Sequence, residues 1–274
     1  IAIKKGSKII ITEKKVKKFQ NGVLFIHTKN IRKLLAEISF KINSNIPKNL
    51  IAVTGTNGKS SIADFYYQIL KLNNKRVASI GTLGVKASSI NLNLSNTTID
   101  PVQLSQILQK LKNKKINNVI MEASSHGLQQ KRLDGLEFNS GIFTNLSQDH
   151  LDYHKSLKNY LNAKLYLFKN LIKKGGNVIV DKEIPEFKKI KTIAKDKSLK
   201  LNTLGNKTNN FKILSHAFVG EHQSLQIEYN NSIKKINLNL IGKIQLKNVL
   251  MAILAAEKSD IQLKKILKIV PKLK

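Results

Sequence analysis

Apolar and polar positions along this chain repeat with two different periods, and the switches between them mark its elements. Two short β-like runs, residues 8–12 and 23–27, precede an amphipathic stretch at 31–40 that predicts a helix. Residues 43–48, closed by Pro47, read as a linker. From Leu50 the pattern turns into strand, helix, strand: the apolar run Ile51-Ala-Val, a helical period over 60–72, and a strand over 76–80 that ends at Gly81. Pro101 opens a helix reaching about residue 112, with Asp100 as its N-cap. Residues 118–121 and 141–144 predict two further strands. A helix is expected over 158–172, stopped by Gly175-Gly176 and followed by a strand at 177–180. Period-2 stretches within 211–240 ("SLQIEYN", "KKINLNL") predict an antiparallel excursion, and two helices, 245–257 and 262–270, close the chain.

Alternation of this kind predicts an α/β fold: a doubly wound, mostly parallel sheet with helices on both faces, plus a small antiparallel addition. Residues 1–47 are too few for a free-standing domain and read as the tail of one; 48–270 read as the main domain. No internal repeat or low-complexity tract interrupts this organisation.

Composition narrows the classes. At 274 residues and 41% hydrophobic, the chain can bury a sizeable core and global disorder is disfavoured. It contains no Cys, which removes disulfides and thiolate metal sites and fits a reducing, cytoplasmic setting. No uncharged apolar run approaches the roughly 18 residues of a membrane span, so no membrane insertion is expected. The net charge of +31 raises the question of a nucleic-acid partner. The lysines are dispersed, without a basic stripe interleaved with aromatics, so the reading is no nucleic acid; the field attracts anionic substrates instead.

Candidate chemistry begins at "IAVTGTNGKSS", residues 51–61, an apolar run that breaks into glycines, a lysine and serines. The full phosphate-loop pattern G-x-x-x-x-G-K-[ST] fails because Val53 stands at its first glycine. The shorter Gly55-Thr56-Asn57-Gly58-Lys59-Ser60 keeps the physics. Two glycines allow close backbone approach, N–H groups at a helix start face an anion, Lys59 neutralises phosphate charge, and the Ser60 hydroxyl faces Mg²⁺. On its own this pattern says nucleotide; an ordinary strand-turn-helix junction is the competing reading.

Downstream, "MEASSHGL", "FTNLSQDHLDYH" and "YLNAKLYLF" follow in order. With the loop, these segments resemble the Mur ligase family over about residues 48–270, most closely the branch that adds the third residue of the peptidoglycan stem peptide. The resemblance implies a P-loop central domain and ATP-dependent amide ligation: the γ-phosphoryl of ATP activates a carboxylate of UDP-N-acetylmuramoyl-dipeptide, and a free amino acid attacks the acyl phosphate. The implied cofactors are ATP and Mg²⁺, and the implied state is a cytoplasmic monomer. Residues 1–47 are then expected to be the end of a UDP-binding domain, and a C-terminal domain that binds the amino acid is expected to be absent, leaving the chain alone inactive in ligation.

The resemblance also assigns residues. Gly55, Thr56, Asn57, Gly58, Lys59, Ser60, Ser61 and Asn248 would bind ATP. Lys59, Glu122, His150 and Lys164 would be catalytic. Mg²⁺ would be held by Ser60, Glu122 and His150, and Lys164, as a carbamate, would help to hold a second Mg²⁺. Asn96, Thr97, Thr98, Ser124, Gln130 and Arg132 would hold the UDP-linked substrate. Ile99 stands where the family has Pro or Gly, and Gln245 where it has Asn. The implied amino acid is meso-diaminopimelate, with L-lysine as the other possibility. Two rival readings are another ligase of the superfamily, such as folylpolyglutamate synthase, and a basic, non-catalytic nucleotide-binding protein.

Overall fold

The computed structural model describes residues 2–88, 90–94, 96–208, 210–219, 222–240 and 242–274. It opens with β1 (Ile9–Thr12), β2 (Phe19–Gln20) and β3 (Val23–His27), which form a three-stranded sheet in the order β1-β3-β2. Helix α1 (Ile31–Ile42) follows, its first turn capped by Asn30, whose side chain accepts from the Lys33 N–H at 2.9 Å. Both strand expectations and the helix fall where the periodicity put them.

The remaining strands share one sheet. After β4 (Asn49–Thr54) and α2 (Lys59–Leu72) come β5 (Val77–Gly81), β6 (Gly84–Ala87) and β7 (Ile90–Leu92). Helix α3 (Pro101–Asn113) starts at Pro101 with Asp100 accepting from the Gln103 N–H, as its sequence predicts. Then follow β8 (Asn118–Glu122), the short α4 (Ser125–Gln129), β9 (Phe138–Phe143), the turn α5 (Leu151–His154) and α6 (Leu157–Tyr166). The last part holds β10 (Ile172–Asp181), α7 (Phe187–Asp196), β11 (Lys200–Gly205), β12 (Phe211–Val219), β13 (His222–Tyr229), β14 (Ser232–Leu238), α8 (Lys243–Glu257) and α9 (Leu263–Ile269). The eleven strands run in the order β14-β13-β12-β11-β10-β9-β4-β8-β5-β6-β7. From β5 through β12 the pairings along the middle are parallel; β6, β7, β13 and β14 are antiparallel additions at the two edges.

Two apolar layers sandwich the sheet. One gathers Leu50, Ala52, Leu108, Val119 and Phe168 under α3 and α6; the other gathers Ile51, Val53, Ile69, Ile120 and Leu250 under α2 and α8. Successive residues of β4 thus serve opposite faces, and the near-continuous apolar run 50–53 follows from burial on both sides. Among the described residues no helix is long and apolar enough to cross a membrane.

One predicted element is corrected. The helix expected over 158–172 runs as α6 to Tyr166 and continues as a π-helix over Leu167–Leu171, and Ile172 begins β10, so the expected stop is what changes. Gly175 and Gly176 lie inside that strand, at a register shift against β9 between Ile172 and Asn177, and stop no helix. Packing explains the exit after Leu171. Gly141 of β9 has no Cβ, and an added one would lie 2.7 Å from Ile172 and 2.9 Å from Phe168, so the chain descends directly onto bare backbone. The hairpin β6–β7, helix α7 and strand β11 carry no expectation from the sequence.

Candidate functional site

Parallel strands present their carboxyl ends on one side of the sheet, and β4, flanked by β8 and β9, sits where the chain changes direction of winding. The segments leaving β4, β5, β8 and β9 therefore meet. They supply Gly55–Ser60, Thr82, Glu122 and Thr144–Asn145.

The loop after β4 is held from below. Thr144 Oγ1 donates to the Asn57 carbonyl at 2.7 Å, and the Asn57 N–H donates to Asn145 Oδ1 at 3.0 Å. A Cβ on Gly55, which has φ +145°, would lie 1.8 Å from Thr144 Oγ1. Gly58 has φ +85°, and its missing Cβ leaves room for Asn248 Oδ1, which an added carbon would meet at 2.6 Å. Both glycines are thus required, and Asn248 of α8 is brought against the loop. Its Nδ2 donates to Gln245 Oε1 at 3.1 Å, which gives Gln245 a positioning contact. Val53 at the pattern's first glycine is simply the fully buried end of β4.

Lys59 opens α2, and Ser60 and Ser61 complete its start. Lys59 Nζ folds back to the carbonyls of Gly55 at 3.1 Å and Thr56 at 2.8 Å. Lys164 reaches the same Gly55 carbonyl from α6, at 2.7 Å, and its ammonium stands 4.1 Å from the Tyr160 ring centroid. Two lysine nitrogens share one oxygen. Lys164 is 1% exposed, and burial, reinforced by the Lys59 charge and opposed by Asp149, lowers its pKa to about 7. Burial also lowers Lys59, with Glu122 and Asp149 opposing.

Glu122 ends β8, 3% exposed. Both its carboxylate oxygens accept from Ser60 Oγ at 3.0 Å, and Thr82 adds its N–H at 2.9 Å and its hydroxyl at 3.2 Å. A Cβ on Gly81 would lie 2.1 Å from Glu122 Oε1, so this glycine makes the space that the carboxylate occupies. Carboxylate and hydroxyl oxygens at the loop suit a hard divalent cation. Lys164 as an amine does not suit one, whereas its carbamate would. Among the described residues no three His, Cys, Asp or Glu side chains gather as a metal cluster.

His150 sits at one remove. It has φ +51°, opens α5, and faces Asp149 at 3.5 Å, with half of its side chain exposed. Its ring packs 4.9 Å from His126 and 6.2 Å from Tyr160, and the Tyr160 hydroxyl lies 3.3 Å from Thr56 Oγ1. His126 stacks on Tyr153 at 4.1 Å, and the buried His154 holds Ser125 Oγ at 2.9 Å; burial lowers the pKa of both histidines.

The predicted substrate residues form a chain running away from Glu122. Thr97 Oγ1 meets Thr82 Oγ1 at 3.0 Å, Thr98 Oγ1 donates to the Glu122 carbonyl at 2.9 Å, and the Ser124 N–H donates to Thr98 Oγ1 at 2.9 Å. Arg132 donates to the Thr98 carbonyl and to Gln130 Oε1, and Gln130 donates to the Tyr153 hydroxyl at 3.2 Å. Asn96 stands exposed ahead of the threonines. Ile99 is 1% exposed and belongs to the core, so it anchors this segment from within. Ser124 caps α4 through the Gly127 N–H at 3.1 Å.

Sequence reasoning passed over Gly81, Thr82, Thr144, Asn145 and Tyr160. Gly81 was visible only as a strand end; the others become significant once neighbouring strands are in register. It also passed over the cavity of about 550 Å³ beside the first turn of α8, lined by Glu183, Asn206, His216, Phe218, Lys243 and Lys247. Lys247 there is held by Asp181 at 2.6 Å and Glu183 at 3.3 Å.

With this geometry in view, a family profile described as the Mur ligase middle domain matches residues 53–256. The chain is 37% identical over 259 residues to a UDP-N-acetylmuramoyl-L-alanyl-D-glutamate--2,6-diaminopimelate ligase of Rickettsia montanensis, covering 93% of the chain and 53% of that protein. A ligase of the same name from Rickettsia bellii is 38% identical over 255 residues, covering 92% and 53%. A solved structure of a ligase of that name superposes with a TM-score of 0.83 at 26% identity, over 94% of this chain and 54% of the other. MurF from Thermotoga maritima in complex with ADP has a TM-score of 0.65 at 14% identity, over 97% and 58%, a likeness of fold alone. The chain spans about half the length of the curated relatives it matches.

Proposed function

The chain belongs to the Mur ligase family, and from that premise we propose that it serves the ATP-dependent addition of an amino acid to UDP-N-acetylmuramoyl-L-alanyl-D-glutamate in the cytoplasm, with residues 48–270 as the ATP-binding unit and 1–47 on the UDP side. The amino acid is 2,6-diaminopimelate, by the names of its relatives. The observation that carries the reading is the meeting of the glycine loop, Lys59, Ser60, Glu122 and Lys164 at the carboxyl ends of adjacent strands.

In this reading the loop N–H groups and Lys59 receive the triphosphate, and Lys59 leaves the Gly55 and Thr56 carbonyls for the phosphate oxygens. The nucleoside end lies along the start of α8, with Asn248 beside it and the 550 Å³ cavity beyond. A substrate carboxylate oxygen attacks the γ-phosphorus and ADP leaves; the amine then attacks the acyl carbon, and phosphate and a proton depart as the amide forms. The protein's share is alignment and charge neutralisation. Mg²⁺ would neutralise developing phosphate charge, with Ser60 and Glu122 as ligands beside the loop and His150 and carbamylated Lys164 helping to hold a second ion. A neutral amine adds CO₂ and an ammonium does not, so a lysine with a pKa of about 7 suits carbamate formation. Thr97, Thr98, Ser124, Gln130 and Arg132, with Asn96 ahead of them, line the approach of the acidic substrate.

Lys59→Ala tests the reading directly. Calorimetry on the wild-type chain should give saturable, Mg²⁺-dependent ATP binding, weakened at least about tenfold in the variant. Equal affinity in the two proteins removes the loop from the mechanism. Carbamylation is tested with ¹³C-labelled bicarbonate: a carbamate resonance should appear in wild type and vanish in Lys164→Met.

A further inference from the structure

Between α1 and the start of α3 lies a cavity of about 180 Å³, lined by Arg32, Leu35, Pro101, Gln130 and Arg132. Two guanidinium side chains border it and no carboxylate does. Three acids of the flanking segments are engaged elsewhere. Glu37 pairs with Lys33 at 3.6 Å, Glu13 accepts from the Ile31 N–H at 2.8 Å, and Asp100 accepts from the Gln103 N–H at 3.0 Å. Among the described residues Arg32 has no acid partner within ion-pair distance.

Arg132 is held for a task. Its Nε and one terminal nitrogen donate to Gln130 Oε1 at 3.1 and 2.8 Å, and the other terminal nitrogen donates to the Thr98 carbonyl. A guanidinium has five N–H groups, so two remain, one on each terminal nitrogen. The cavity accommodates a single carboxylate or phosphate with a short piece of its chain, and its two arginines select such an anion. The positive end of α3 adds to the same field.

Resting on the ligase reading above, we propose that Arg32 and Arg132 together clasp a non-reacting oxyanion of the acidic substrate, and that Arg32 is a positioning residue contributed by the N-terminal segment. A carboxylate and a phosphate offer the same oxygens to a guanidinium fork, and the substrate has both. The clasp fixes the substrate one step along the Thr98–Glu122 chain from the phosphate loop. It gives the otherwise exposed start of α1 a place in the reaction.

Calorimetry with wild type, Arg32→Gln and Arg32→Lys tests this. Arg32→Gln should weaken UDP-N-acetylmuramoyl-L-alanyl-D-glutamate about tenfold, Arg32→Lys should recover part of that, and ATP affinity should stay within about twofold. Two analogues separate the oxyanions: the muramoyl-dipeptide without UDP, and the UDP-linked substrate with its non-reacting carboxylate made an amide. The variant and wild type should bind equally the one analogue that lacks the anion met by Arg32. Equal binding of the complete substrate by wild type and Arg32→Gln overturns the inference and leaves the ligase reading standing. So does an equal penalty on all three ligands. Failure of the wild-type chain to bind any of them overturns both.

Discussion

Lys164 shows how little a single residue discloses in isolation. In the sequence it is one lysine among many on a basic segment; in the fold it is 1% exposed and shares the Gly55 carbonyl with Lys59. The unfolded chain keeps the proton on this amine up to about its ordinary pKa of 10.5, whereas the folded chain releases it near 7. Between those values the unfolded state binds more protons, so stability rises with pH across that window. Urea titrations in carbonate-free buffer should show this rise, and Lys164→Met should flatten it. Gly81 makes a second case. Gly81→Ala would place a carbon 2.1 Å from Glu122 Oε1 and push the carboxylate aside. It should abolish the Mg²⁺-dependent part of ATP affinity while leaving the circular dichroism spectrum unchanged; retention of that dependence would free Glu122 of its assigned role.

Elements deliver these residues in groups. Helix α6 carries Tyr160 and Lys164 one turn apart on the same face, so both reach the loop together. Its start depends on Ser156, whose side chain accepts from the Asn159 N–H at 3.2 Å. Ser156→Ala should lower stability by about 1 kcal/mol in urea unfolding. The central strands and α1, α2 and α3 were legible because each obeys one period and each of these helices starts at a clear signal: Asn30, the glycine loop and Asp100; α8 was legible as a long apolar run, buried nearly all round. What ends the helix after α6 was not: Gly175 and Gly176 lie inside β10, and the exit after Leu171 is set by bare backbone at Gly141 on another strand. Likewise the motifs named Glu122 and Ser60 separately, while Thr82 and Thr144 join the site only through strand register.

At the scale of the whole molecule, the net charge of +31 acts everywhere at once. Self-repulsion among so many cations destabilises the compact state and is screened by salt. Between about 0.01 and about 1 M salt the screening length falls from about 30 to about 3 Å. The urea midpoint should therefore rise over that range, while affinity for ATP should fall. A midpoint indifferent to salt would mean that the dispersed lysines repel one another too weakly to matter.

The shared Gly55 carbonyl has a thermodynamic corollary. A polyanion arriving between Lys59 and Lys164 reverses the electrostatic sign of their surroundings, so in carbonate-free solution Lys164 recovers the proton that burial had removed. Complex formation then draws protons from the buffer near neutrality. The observed heat of ATP binding should accordingly vary with the ionisation enthalpy of the buffer chosen, and that variation should shrink in Lys164→Met.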